Sequence, residues 1–327
     1  MSTASGISGS FGYGAETTWG TYKAPDHFVD VLSESLALQV SHIESKGIRA
    51  GNKVLRSDRQ VLNTMGASGS VSFEVASKGF GLLLKHALGA QSSATAAGGT
   101  TAKTYTSTLG DPYGLGLSMQ VGRPDNSGTV RVFSYTGCKI TDAEWKNSVD
   151  GLLEMTVGVD AQAETTAQSL ASPSYASSSE LLSFVGGAVT IGGSTVATVS
   201  DVSVKVATAL KTDRRFIHSS TNKSEPIQNG LVAITGAMTT EFESLTAYNR
   251  YVAGTTAAVV CTWTGLTALE GTIYPALSIT LPVTRFDGTT PNLNGEDMLS
   301  LSLPFTVLYD GSQEPITVAY TTLDATA

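Results

Sequence analysis

The sequence is poor in the residues from which chemical sites are usually built. Of 327 residues only 15% are charged, four are histidine and two are cysteine. Two thiols cannot form a disulfide framework, and Cys138 and Cys261 stand in apolar strand-like runs, as buried free thiols do. His27, His42, His86 and His218 are isolated, with no H-E-x-x-H and no second ligand at helical spacing, which argues against a metal centre. Gly12-Tyr-Gly14 and Gly114-Leu-Gly116 lack the third glycine of a dinucleotide fingerprint. Gly186-Gly187 and Gly192-Gly193 lack the Lys-Ser/Thr of a phosphate loop and read as hairpin turns around residues 188–191. The acidic stretch 287–297 fails as a calcium loop: Thr290 stands where Asp is needed, two places before Asn292, and Leu301 where the twelfth-position Glu belongs. There is no G-x-S-x-G elbow. Together these absences predict neither an enzyme nor a cofactor or metal carrier.

There is also no run of 18 apolar residues, and MSTASGISGS has neither the basic nor the apolar part of a secretory signal. The expectation is a chain made and kept soluble in a cytoplasm, with no membrane binding. A formal net charge of -8 argues against a protein that grips phosphates, and does not exclude a surface that repels DNA.

What the chain does have is 34 glycines with abundant Ser, Thr, Ala and Val, the composition of a turn-rich, mainly β protein. In residues 66–89 Val71, Phe73 and Val75 alternate with Ser70, Ser72 and Glu74, the pattern of a strand with one buried and one wet face. A helix is predicted to follow, with Ser77 as N-cap, Phe80, Leu83, Leu84 and Ala87 on one face and Gly89 as the stop. Residues 233–254 repeat the order with Ser244 as cap, Leu245, Tyr248, Tyr251 and Val252 as the stripe and Gly254 as the stop.

Other segments echo each other as well. Strand 36–40 corresponds to 202–206, and 153–159 to 301–309. Each first strand is followed by a polar loop rich in cations. The first loop carries Lys46, Arg49, Lys53, Arg56 and Arg59, and the second Lys211, Arg214, Arg215 and Lys223. The division predicted is an N-terminal arm (1–25), a first domain (26–162), a Ser/Ala linker (163–180) and a second, degenerate copy (181–327). Residues 91–104 read as a flexible insert in the first copy alone. The arm cannot form a core by itself, so Phe11, Tyr13, Trp19 and Tyr22 are expected to fix it on another surface, a neighbouring subunit.

Four stretches, G-Y-G-A-E-T-T-W-G-T at 12–21, L-R-S-D-R-Q at 55–60, the strand plus helix at 66–89 and Y-T-G-C-K-I at 135–140, resemble the major tail tube proteins of long-tailed bacteriophages. The resemblance implies two tandem β-sandwich or barrel domains, each with one flanking α-helix. It further implies rings that stack into a hollow tube through which the genome passes, and tape-measure, tail-terminator and baseplate proteins as partners. Because a ring needs six such domains, a duplicated chain is expected to form homotrimers. On that reading Ser70, Ser72, Glu74, Glu154, Thr156, Thr239, Glu241, Ser302 and Thr306 line the bore, and the two basic loops join stacked rings. A duplicated virion sandwich of another kind, a capsid decoration protein or fibre-forming adhesin, is the alternative reading. A secreted carbohydrate-binding or hydrolytic sandwich would want a signal peptide and clustered aromatics or paired carboxylates, and neither is present.

Overall fold

The computed structural model describes residues 5–217, 220–288, 290–291, 293, 296 and 298–326; His218 and Asn292 lie outside the described residues. The first half begins with β1 (Ser10–Glu16), β2 (His27–Phe28), β3 (Ser33–Glu34), β4 (Ala37–Glu44) and β5 (Gln60–Glu74). It continues with α1 (Gly81–Leu88), β6 (Gly89–Thr95), β7 (Lys103–Leu109) and β8 (Gly116–Pro124). It closes with β9 (Val130–Ser148), β10 (Glu154–Ala161) and β11 (Ala163–Thr165). The second half opens with β12 (Gly187–Ile191), β13 (Ser194–Thr195), β14 (Val199–Ala207), β15 (Leu210–Lys211) and β16 (Ile227–Gln228). Then come β17 (Ala233–Glu241), α2 (Leu245–Ala253), β18 (Ala257–Thr264), β19 (Ala276–Phe286), β20 (Ser300–Val307) and β21 (Thr317–Thr322).

The pairing pattern occurs twice. In the first half β1 pairs with β8, β8 with β9 and β9 with β11, while β4, β5, β10 and the far part of β9 form the facing layer. In the second half β12, β18, β19 and β21 repeat the first set, and β14, β17, β20 and the end of β19 the second. β9 belongs to both layers of its half and bends between them after Gly137, whose φ of 62° is the left-handed conformation that glycine adopts without strain. Between the layers lies a core in which Val71, Phe73, Val75, Leu153, Met155 and Val157 are fully buried.

One position shows how far the repeat extends. Both Gly69 and Gly236 lie where a Cβ would press into the main chain alongside, at the carbonyl oxygens of Ser35 and Ser203. Ser203 lies in β14 beside β17, and Ser35 in the link between β3 and β4 beside β5, its N–H bonded to the Ser70 carbonyl. Gly69→Ala and Gly236→Ala are each expected to cost about 1–3 kcal/mol, because the backbone contact can be relieved only by moving a strand. Urea midpoints of the two variants check this.

Several expectations are corrected. Residues 10–16 are no arm: β1 is a strand of the first half, with Phe11 and Tyr13 in its core at 1% and 0% exposure and their rings 6.1 Å apart. Trp19 Nε1 donates to the Gly137 carbonyl at 3.0 Å, and Tyr22 Oη accepts from Gln120 Nε2 at 2.9 Å. All four aromatics are therefore used within the chain. Ser77 does not cap α1, whose N-cap is Phe80, because its hydroxyl accepts the Glu180 N–H at 2.8 Å instead. Ser244 does cap α2, accepting the Thr246 N–H. The segment 163–180 is fastened to the first half, through β11 and through Gln120, which holds Ser169 and Ala171.

Residues 91–104 are likewise ordered, as part of the hairpin of β6 and β7. β7 pairs with β21, so the hairpin extends the outer sheet of the second half. Its turn is held by Glu270, whose carboxylate accepts the N–H groups of Thr100, Thr101 and Ala102 at 2.9–3.1 Å. The Thr100 hydroxyl and then these N–H groups hold the Glu270 carboxyl below its ordinary range. A lowered native pKa makes the contribution complete above the unfolded value and removes it only as pH falls through the native one. Protection of amides 100–102 from hydrogen exchange should thus persist at about pH 4, where ordinary glutamates half-protonate. Glu270→Gln should weaken it at every pH.

Candidate functional site

The two halves are joined edge to edge. β14 pairs with the far part of β9 over seven residues, from Asp201 opposite Ser148 to Ala207 opposite Asp142. This makes one antiparallel sheet in the order β4, β5, β10, β9, β14, β17, β20. One face of it is core, except along β4 and the first residues of β5, where no residue is buried. On the other face lie Ser70, Ser72, Glu74, Glu154, Thr156, Thr239, Glu241, Ser302 and Thr306, all half-buried or exposed and alternating with buried neighbours. Ser72 and Thr156 stand opposite each other with hydroxyls 2.9 Å apart, and Thr239 stands opposite Ser302.

The junction adds Glu144, Lys146, Ser203 and Lys205 to this face. The face is therefore not free of cations. Lys146 stands directly across from Glu154, and Lys205 across from Glu144. Each lysine has a carboxylate in the adjacent strand, the cross-strand arrangement that offsets charge locally. The signal existed in the alternation of 143–148, but buried Asn147 interrupts it; Asn147 Oδ1 accepts Trp263 Nε1–H at 3.0 Å.

The sheet ends in two edges. Among the described residues, residues 300–303 of β20 pair with β17 alone. At the other end β3 and β4 pair with β5 alone, whereas β14, the counterpart of β4, has β9 on its second side. The β4 edge is partly capped. Leu36 N–H donates to Glu34 at 3.0 Å, and its carbonyl accepts from Arg123 at 2.7 Å and Tyr135 at 3.0 Å. Arg123 in turn grips Glu34 with two bonds of 2.8 and 2.9 Å. Side chains that occupy edge groups in this way protect a sheet from unwanted pairing.

The two basic loops differ. Residues 45–59 form the tip of the long β4–β5 hairpin, where Lys46, Arg49, Lys53 and Arg59 are exposed and Arg56 Nε donates to Asp58 at 2.7 Å. The second loop is fastened to the first half through its charged residues, while Phe216 and Ile217 stay exposed. Lys223 is buried against Asp160, Arg214 bonds the Glu225 carbonyl, and Arg215 donates to the carbonyls of Thr221 at 2.5 Å and Met65 at 2.8 Å. Glu225 reaches buried Lys139 at 2.5 Å, and only Lys211, paired with Asp213 at 3.1 Å, stays at the surface. The expectation of two equivalent free loops is corrected accordingly, since the cations of the second are consumed by partners within the chain.

The buried polar groups have structural work to do. Glu16 accepts from Ser118 and Gly137 at 2.8 Å and from Gly20 at 2.6 Å; burial raises its pKa, and these bonds pull it back. His86 on α1 is kept neutral, its pKa pushed down to about 3 chiefly by burial. Burial pushes the thiol of Cys261 up to about 12 and that of Cys138 well above its usual value, so neither is poised as a nucleophile. No cluster of His, Cys, Asp or Glu among the described residues is arranged to hold a metal, and no described helix is long and apolar enough to cross a membrane.

The chain is thus built mainly from strands, with a pairing pattern that occurs twice and one polar sheet face. The sequence model of the family described as phage tail tube protein matches residues 6–307. The chain belongs to that family. No curated protein matches it. As a tail tube protein it is a structural component of the virion tail that self-assembles into the tube and associates with other tail proteins. Its mainly β fold is consistent with this family, and nothing favours a capsid decoration protein or an adhesin.

Proposed function

We propose that each half is one tube domain, that three chains close into a ring of pseudo-sixfold symmetry, and that stacked rings form the conduit for DNA ejection. The observation that carries this reading is the β9–β14 junction, which joins equivalent inner sheets of the two halves edge to edge. Repeating such a junction between chains would use the β20 edge of one copy and the β4 edge of the next, leaving no open edge in the ring. The polar face then lines the bore, with Ser70, Ser72, Glu74, Glu154, Thr156, Thr239, Glu241, Ser302 and Thr306 joined by Glu144, Lys146 and Lys205. Carboxylates outnumber lysines there and stand beside them, so a passing phosphate backbone finds hydroxyls and negative charge rather than a cationic track. The 45–59 tip is the ring-stacking element, and tape-measure, terminator and baseplate proteins meet the ends of the tube. Assembly takes place in the host bacterial cytoplasm.

Native mass spectrometry and negative-stain microscopy of concentrated protein test the reading. Rings of three 33.9 kDa chains and tubes made from them are expected. Hexameric rings would overturn the pseudo-sixfold arrangement, and a monomer at every concentration would overturn ring formation.

A further inference from the structure

Two features present exposed apolar residues, and they lie at opposite ends of the chain. The hairpin tip leads into the start of β5, whereas the helices follow the ends of β5 and β17. β5 and β17 run in the same direction, because four antiparallel pairings separate them. The 15 residues of β5 span about 45 Å at roughly 3.3 Å per residue, so a chain cannot bring its own tip to its own helix end. The tip displays Ile48, Val54 and Leu55 at 101%, 83% and 66% exposure. At the other end seven of the eight residues of α1 are buried, but none of α2 is, and Leu245, Tyr251 and Val252 are 58%, 40% and 65% exposed. The cations of the second basic loop are engaged within the chain and α1 is buried, so the first tip and α2 are the members of each pair that stay open.

We propose that the hairpin tip docks on the exposed apolar face of α2 in a second copy of this chain, one ring further along the tube. The inference rests on the tube reading above and deepens it by naming the receiving surface. In a ring whose β5 strands share one direction all tips point to the same end, so the receiving copy belongs to the next ring. Charge is complementary: the tip carries five cations against Asp58, and the helix end carries exposed Glu241 and Glu243 against Arg250. Apolar burial supplies the affinity of the contact, and the charges set its register. One tip per helix gives three such contacts between successive trimers.

Both native cysteines are buried, so introduced thiols can be addressed selectively. Tubes of the Leu55→Cys/Val252→Cys double variant, treated with a flexible bismaleimide, should give a ladder of linked chains extending past the size of one ring, which neither single variant gives. Val252→Asp, on a surface position that folding does not need, should still form rings but no tubes at the concentration where wild type makes them. Double-variant tubes with both thiols modified and no ladder, or normal tubes from Val252→Asp, overturn the docking contact. A wild-type chain that forms neither rings nor tubes overturns the tube reading itself.

Discussion

Trp145→Ala is expected to destabilise the protein by about 3–5 kcal/mol, the range for deleting a fully buried large aromatic. Trp145 is 0% exposed and stands opposite Met155 of β10 on one side and Val204 of β14 on the other, both also fully buried. It is therefore the side chain at which the core of the first half passes into that of the second. Its Nε1 has no hydrogen-bond partner among the described residues, so the native state already bears the cost of a buried, unsatisfied donor. Trp145→Phe removes that donor and keeps most of the apolar volume, and should cost less than about 1.5 kcal/mol. Urea unfolding of the two variants separates the contributions. If the alanine variant unfolds within about 0.5 kcal/mol of wild type, as surface substitutions do, the junction is not where the halves are coupled.

The parts of the fold that were legible in the sequence are those fixed by local chemistry. Alternation placed the core face of β5 and β10, and Ser244 reads correctly as a cap because its hydroxyl is used two residues away. Ser77 stands at the same distance from the preceding strand and fails. Its hydroxyl is claimed by Glu180, 103 residues on, where the chain crosses back between the halves. The local difference is Gly79, two residues after Ser77, whose φ of 89° keeps the helix from starting before Gly81, whereas Leu245 follows Ser244 directly.

The N-terminal strand was obscured by glycine. Phe11 and Tyr13 alternate with Gly12 and Gly14, which makes a strand only if the two glycines are read as packing positions rather than as flexibility. A Cβ at Gly12 would meet the ring of Phe28 at 2.6 Å and Pro25 at 2.9 Å, so the absence of a side chain there lets β2 lie against β1. The polar face was half legible for a related reason. Its β5, β10, β17 and β20 members follow from clean alternation, but the contribution of β9 depends on which strand lies beside it, and the β9–β14 pairing is between residues about 60 apart. The two basic loops show the same limit in charge. Both are runs of cations between strands, and only the positions of Asp160 and Glu225 in space make one of them a buried clasp.

That clasp is the site of the second large effect. Lys223→Met should lower stability at neutral pH by about 3–5 kcal/mol, the usual cost of stranding one member of a buried ion pair. The side chains of Lys223 and Asp160 are 5% and 12% exposed. Asp160 Oδ1 accepts from Lys223, and Oδ2 has no partner among the described residues. Burial raises the Asp160 pKa, and Lys223 and then Arg215 hold it down in part. Without Lys223 the native pKa rises further. A carboxyl whose native pKa lies above its unfolded value destabilises the fold increasingly as pH rises from the unfolded value through the native one. The deficit of the variant should therefore be greatest at neutral pH and shrink toward about pH 4, near the unfolded Asp value. Asp160→Asn combined with Lys223→Met should recover much of the loss at pH 7, since no charge is then left buried. Hydrogen exchange locates the damage: in Lys223→Met the amides of Ser224 and Met65 should lose protection, because they bond the carbonyls of Arg214 and Thr221 only while the loop lies on the first half. A deficit that is the same at pH 4 and pH 7, or that the double variant does not reduce, would show that Lys223 acts by packing its methylenes and not by neutralising Asp160.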